Sequence, residues 1–308
     1  MIPKVWLYWD SPGEGRDPGY ISLCRETIVK WARPYDVIVL DKSTASQWVE
    51  GLHPEFGEIP VIAHRADYVR AACLAENGGI WLDIDTVVLK PLSLIWALTS
   101  VNGAVFYGWK PRQPSIGMIA AVPRHPILIA WREAIERQID KSLSQRWAGF
   151  GYDLLWPIAE HGGFTQIPRE ACAPTHWTET GLFSSRRSAS EFVSDETLMI
   201  QLYNRGLSAK MGEMAATDIV EGCSLLSSLF KMSRDDSIDL RSAAIAAACA
   251  SISVNAMRSL EPDFCPARWV DGRALINAVV GSYNALSRAE GSWEIITKIG
   301  RASCRERV

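Results

Sequence analysis

Two aspartates one residue apart, Asp83-Ile84-Asp85, form the only D-x-D in the 308-residue chain. On an extended backbone, residues i and i+2 point the same way, so both carboxylates would share one face while Ile84 packs opposite. Carboxylates that converge without a fixed counter-charge repel. A hard divalent cation, which takes oxygen ligands and fills its shell with water and phosphate, relieves that repulsion. The plainer alternative is a solvated loop edge carrying a local turn or cap.

A second pair, Asp67 and Arg70, lies upstream in Ala63-His64-Arg65-Ala66-Asp67-Tyr68-Val69-Arg70. Three residues apart on a helix, the two side chains are neighbours. As a surface ion pair they would contribute at most a few tenths of a kcal/mol. As a site, Asp67 would bind a ribose or sugar hydroxyl. Arg70 would then hold Asp67, or an anionic ligand, through its forked donors.

The surrounding elements tie these pairs to one scaffold. Residues 62–77 read as a helix that Gly78-Gly79 terminates. Ile80-Trp81-Leu82 reads as a buried strand that runs through the two aspartates and on to Leu89. Carboxylates at the end of such a strand stand where α/β sheets bind ligands. Before them, Lys4 to Trp9 predicts a strand, Tyr20 to Ala32 a helix stopped by Pro34, and Asp36 to Leu40 a second strand. Strand, helix, strand favours an α/β fold with parallel strands. Further on, Val101–Tyr107 and Ser115–Val122 read as strands and His125–Ile139 as an amphipathic helix. Asp153–Glu160 predicts a short helix, Phe164–Ile167 a strand, Cys172–Ser190 irregular chain, and Asp195–Tyr203 a helix closed by Gly206. Residues 224–298 read as helical and alanine-rich.

Composition narrows the class. The chain is 48% hydrophobic and 22% charged, with net charge -3. That excludes a disordered chain and speaks against a dedicated nucleic-acid binder, which would carry a basic face. No run reaches the ~18 apolar residues of a membrane span. The N-terminus lacks the pattern of a signal peptide, so a cytoplasmic protein is expected. The seven cysteines never fall as C-x-x-C and read as reduced, mostly buried thiols. Ile299 to Val308, IGRASCRERV, resembles the in-frame translation of a short-read sequencing adapter. The natural chain is therefore expected to be cut short near Lys298. The expected division is a catalytic domain over 1–222, a helical extension over 223–298, and an artefact over 299–308.

Taken in order, the motifs resemble the glycosyltransferases that carry a D-x-D sugar-binding region. Within them the chain is most similar to the capsular polysaccharide synthesis type, akin to the retaining α-mannosyltransferase-like enzymes. The residues that carry the resemblance are Ile2-Pro3-Lys4 with the aromatic strand Trp6 to Trp9, and the Ala63-x-x-Ala66-Asp67-x-x-Arg70 helix. Gly78-Gly79-Ile80-Trp81, Asp83-x-Asp85, Lys90-Pro91-Leu92 and His125-Pro126 complete it. Ala66 departs from the family's usual serine, at the cost of one hydrogen bond at most.

The resemblance implies a GT-A-like α/β fold, a mixed sheet flanked by helices with a helical C-terminal extension. It also implies a UDP- or GDP-sugar donor, a glycan or lipid-linked glycan acceptor, and Mn2+ or Mg2+. Asp85 would ligate the metal, and Asp83 would hold ribose, donor sugar or metal-bound water. Asp67, Arg70 and Gly79 would line the donor site, with Leu7, Tyr8 and Trp9 near the base. His176 in a downstream loop is a candidate third metal ligand. An inverting enzyme would need a base, with Asp153, Glu160 and Asp195 as candidates. Trp109, Trp147 and Trp177 could stack on sugar rings, while Trp31, Trp96 and Trp131 fit helix faces. Lipid-linked acceptors would bring the protein to the inner face of a membrane.

Two other functions compete. Leu82 to Val88 also fits the aspartate motif of haloacid-dehalogenase-like phosphatases. There Asp83 would be nucleophile and Asp85 acid/base, served by Lys210 or Lys231 and by Asp235-Asp236. The other is a non-catalytic nucleotide-sugar-binding or scaffold protein.

Overall fold

A computed structural model describes residues 2–11, 17–141, 149–161, 163–234 and 270–288. Four apolar residues, Val5–Tyr8, form β1, and α1 (Gly19–Ala32) leads to β2 (Val37–Leu40). The helix α2 (Ile62–Asn77) ends at Gly78 and feeds β3 (Gly79–Leu82), followed by β4 (Thr86–Val88). Next come α3 (Ser93–Asn102), the hairpin β5 (Ala104–Lys110) and β6 (Gln113–Ala121), α4 (Pro126–Lys141), α5 (Tyr152–Ala159) and β7 (Thr165–Pro168). After a stretch of 3-10 turns follow α6 (Ala189–Phe192), β8 (Met199–Gln201), α7 (Asn204–Met211), α8 (Ala216–Glu221) and α9 (Leu225–Arg234). The last described elements are β9 (Val270–Asp271) and α10 (Arg273–Arg288).

Seven strands make one mixed sheet, ordered β2-β1-β3-β6-β5-β7-β9, in which β6 alone runs against its neighbours. Alternate side chains go to opposite faces. Val5, Leu7, Ile80, Leu82, Val105 and Tyr107 join the core beneath α1, α3, α9 and α10. Trp6, Tyr8, Trp81, Ala104 and Phe106 join the core beneath α2, α4 and α5. Helices thus cover both faces of a mixed sheet. The described parts beyond residue 222 share this core, since Leu229, Phe230, Leu275 and Tyr283 are buried with β1 and β5.

Several local expectations need correction. The strand does not run on through the aspartates. It stops at Leu82, residues 84 and 85 turn, and β4 pairs with β8 in a separate two-stranded sheet. Asp195 to Tyr203 is not a helix. Its apolar run Leu198-Met199-Ile200 forms β8 against β4, and α7 begins only at Asn204. An apolar run this short does not by itself distinguish strand from helix. Residues 93–102 are helical, where no element was expected up to residue 100 and a strand was expected from Val101. Gly103, at φ 79°, ends that helix and delays β5 to Ala104.

Residues 299–308, Trp147, Asp235 and Asp236 lie outside the described residues.

Candidate donor site at the sheet's carboxyl edge

β1 has β2 on one side and β3 on the other, and the connecting helices α1 and α2 cover opposite faces. The chain therefore changes direction at β1, and such a switch point is where open α/β sheets place a ligand crevice, beyond the carboxyl ends of the strands. Trp6 pairs with Trp81. Two residues further along, Tyr8 and Asp83 come level at the mouth of that crevice.

Asp83 is held from two layers. Arg70 Nη2 of α2 donates to its Oδ1 at 2.6 Å, and Gln201 Nε2 of β8 donates to its Oδ2 at 2.7 Å. Its amide donates to Gly117 O at 2.9 Å. Arg70 also donates to Ile116 O at 2.7 Å, stands 3.5 Å from Asp67, and lies over the Trp81 ring. Asp85 is turned inward. Its carboxylate Oδ2 accepts from the Asn204 N–H at the start of α7, and its carbonyl accepts from Leu202 N–H at 2.9 Å. A carboxylate at a helix N-terminus also meets the positive end of the dipole.

Burial raises all three acids. Asp67 is pushed up to about 7 by desolvation, against the pull of Arg70 and with the push of the Asp83 charge. Asp83 is raised by burial, which Arg70, Trp81 and Gln201 oppose. Asp85 is raised by burial and then by the charge of Asp83, which the Asn204 N–H opposes. This donor set fits a hard divalent cation, because each carboxylate carries a penalty that a bound cation would relieve. Arg70 Nε is buried without a hydrogen-bond partner among the described residues, an orphan donor beside the carboxylates.

The other expected site residues divide. Tyr8 donates to Asp10 Oδ2 at 2.8 Å, and Asp10 pairs with Arg65 of α2 at 2.9 Å. Trp9 donates to Asp17 at 2.7 Å. Tyr8 is the last residue of β1, and Trp9 follows it. Leu7 is fully buried in the core, so only its backbone faces the crevice edge. Gly79 stands at the opposite end of β3, about 10 Å or more from Asp83 at the rise of a strand. Its φ of 108°, and a Cβ that would fall 2.5 Å from Lys4 O, give it a packing role.

His176 is not gathered with the aspartates. Among the described residues, no group of three or more His, Cys, Asp or Glu side chains is placed to hold a metal. His176 Nδ1 is 2.6 Å from Thr178 Oγ1, and the residue caps a 3-10 helix through a capping box. Asp153, Glu160 and Asp195 are all exposed. Lys231 donates to Gly222 O.

Three contributors were not expected. Gln201 is oriented by Tyr107, whose hydroxyl donates to its Oε1 at 2.5 Å, leaving the NH2 for Asp83. A Cβ on Gly117 would strike Gln201 Oε1 at 2.6 Å, so a glycine there admits the amide. Asn204 also accepts from the Tyr20 hydroxyl. It follows Tyr203, whose φ of 57° is the left-handed conformation that starts α7.

Fold and site together define an α/β protein with carboxylates and a guanidinium gathered at the switch point of its sheet. The family description "Glycosyltransferase sugar-binding region containing DXD motif" matches residues 19–102 of this chain. Among solved structures, it is similar to the PaToxG glycosyltransferase at 15% identity and a TM-score of 0.36, over 76% of this chain and 87% of that one. It is similar to the galactosyltransferase LgtC in complex with donor and acceptor sugar analogs at 12% identity and a TM-score of 0.40, over 75% and 95%. An active-site mutant of LgtC gives 14% identity and a TM-score of 0.37, over 64% and 86%. No curated protein sequence matches.

Proposed function

We propose that this enzyme moves a sugar from a UDP- or GDP-sugar to a glycan or lipid-linked glycan, in the synthesis of capsular or other surface polysaccharide. It would act from the cytoplasmic side of the membrane, and no helix among the described residues is long and apolar enough to cross one. Asp83 and Asp85 would hold Mn2+ or Mg2+. The observation that carries this reading is the double anchoring of Asp83, by Arg70 and Gln201, beside an inward-turned Asp85 at the mouth of the β1/β3 crevice.

Glycosyl transfer breaks the bond between the anomeric carbon and a diphosphate, and negative charge grows on the leaving phosphate. A divalent cation supplies Lewis-acid stabilisation of that charge, worth several kcal/mol. The protein's share is positioning. Arg70 keeps Asp83 aimed and presents donors to the sugar or phosphate. Asp67, partly protonated near neutral pH, can both donate to and accept from a sugar hydroxyl. Tyr8 and Trp9 flank the space for the base. In a retaining transfer the departing phosphate accepts the proton of the acceptor hydroxyl, so no protein base is required.

The test is release of nucleoside diphosphate from a panel of nucleotide sugars, with Mn2+ or with a chelator, by wild type and Asp85→Ala. Metal-dependent release lost in the variant supports the reading. Phosphate release from aryl phosphates that survives Asp85→Ala and is lost in Asp83→Ala would replace it with the phosphatase mechanism.

A further inference from the structure

Beyond the donor crevice, the same edge of the sheet carries an aromatic cluster that no step so far uses. β5 points in the same direction as β3, with β6 between them, and β7 runs parallel to β5. Their carboxyl ends therefore open on the side where Asp83 stands. Trp109 lies at the end of β5, and Arg169 follows β7 beside it. At two strand spacings across and roughly two residues beyond Tyr107, Trp109 is on the order of 10 Å from the D-x-D. That is about the length of one or two sugar rings.

The cluster is built. The Arg169 guanidinium lies over the Trp109 ring at 4.5 Å from its centroid. Its Nη1 is turned to the carbonyls of Ala173 and Pro174, and its Nε pairs with Glu170. The His176 ring meets Trp109 edge-on at 5.1 Å and Trp177 at 5.2 Å. Trp177 is nonetheless 63% exposed and Trp109 38% exposed, two of the few large apolar side chains open to solvent. The loop is also tied to the donor site. Tyr203, between Gln201 and Asn204, donates its hydroxyl to Thr175 O at 3.1 Å.

The chemistry of this surface selects its ligand. Flat apolar faces with polar tips match a pyranose, which has one C–H face and a rim of hydroxyls. Thr178 and Glu179, both exposed beside Trp177, supply polar partners for that rim. The Arg169 guanidinium is engaged by two carbonyls and Glu170. The capping box orders the chain at His176 before any ligand arrives, which lowers the ordering cost of binding.

We propose that Trp109, His176 and Trp177 form the acceptor subsite, binding a neutral saccharide by stacking so that its reactive hydroxyl reaches the donor crevice. The proposal rests on the glycosyltransferase reading above.

The experiment measures donor turnover with Mn2+ by wild type, Trp177→Ala, Trp177→Phe and Trp109→Ala. Each is assayed in water and with methyl glycosides and short oligosaccharides of glucose, galactose and mannose. The expected result is that at least one saccharide accelerates wild-type turnover. Trp177→Ala then raises the KM for that saccharide about tenfold and lowers the ratio of transfer to hydrolysis similarly, with a smaller change in donor KM. Trp177→Phe restores most of the effect. Wild-type turnover that no saccharide changes, or an unchanged saccharide KM in both alanine variants, would overturn the acceptor subsite. Absence of any donor turnover in wild type would instead overturn the glycosyltransferase reading beneath it.

Discussion

Two regions reach the same pair of carboxylates by different physics. From one side, α2 and β3 deliver charge: Arg70 pairs with Asp83 at 2.6 Å and stands beside Asp67, with all three groups carried within 17 residues. From the other side, β8 and the start of α7 deliver neutral donors, the Gln201 amide and the Asn204 N–H, from more than 110 residues away. The charged side holds Asp83 in place and balances part of its charge. The neutral side aims both carboxylates without cancelling the negative charge that a cation would need. A second guanidinium in place of Gln201 would hold Asp83 as firmly and would weaken the attraction for a metal.

The largest expected effect belongs to neither region but to their shared target. Asp85→Ala should lower metal-dependent donor turnover about a thousandfold, since several kcal/mol of charge stabilisation depend on it. Steady-state kinetics at saturating donor would show this.

Next comes the charged side. Arg70→Leu leaves Asp67 and Asp83 without their cation, and breaking a buried pair from one side costs about 3 kcal/mol or more. Urea unfolding of Arg70→Leu beside Arg70→Lys checks it. Lysine should recover only part of the loss, because a point charge cannot serve Asp83 and Ile116 O together in the guanidinium's forked geometry. Equal stability for all three proteins would show that the charged side carries no structural weight.

The neutral side should be weaker in stability and visible in catalysis. Gln201→Leu removes one charge-assisted hydrogen bond, about 1.5 kcal/mol, so kcat/KM should fall about tenfold. Gln201→Glu should lose more, because it sets a second carboxylate against Asp83. If the glutamate variant matched the glutamine, aim would not be what Gln201 supplies.

This asymmetry also governs what can be read from the residues in order. The charged side is legible because its parts are close in the chain. Asp67 and Arg70 share a helix at the right spacing, and Gly78-Gly79 marks where the helix gives way to the aspartate strand. The neutral side has no such signature. Gln201 and Asn204 are common residue types after a three-residue strand, and only the pairing of β4 with β8 brings them to the aspartates. Gly117 was a usable hint, since a glycine inside a strand often marks a close approach. The D-x-D itself was legible as chemistry but not as geometry. Asp85 sits in a turn rather than on an extended strand, because β3 and β4 belong to different sheets. Trp177 could be named as a sugar-stacking candidate, but its place on the carboxyl edge follows only from the order of β3, β6, β5 and β7.

A further effect, in pH dependence, concerns Asp67. Its acid is raised to about 7 in the fold, above the ordinary carboxylate value of about 4 in the unfolded chain. The native state therefore binds more protons than the unfolded state between those values, and stability must fall as pH rises from about 4 through about 7. Asp67→Asn removes this slope. In chelator-treated protein, Tm should drop between pH 5 and pH 8 more in wild type than in Asp67→Asn. Parallel profiles would place the Asp67 carboxylate outside the buried site.

The central claim is that Asp83 and Asp85 form a metal-assisted site for the diphosphate of a nucleotide sugar. Isothermal titration of UDP and of GDP into wild type and Asp85→Ala, with Mn2+ and with a chelator, tests it most directly. The account predicts binding of at least one nucleotide that needs Mn2+ and is lost in Asp85→Ala. Binding that is equally tight in the chelator and in the variant, or no binding of either nucleotide under any condition, would contradict it.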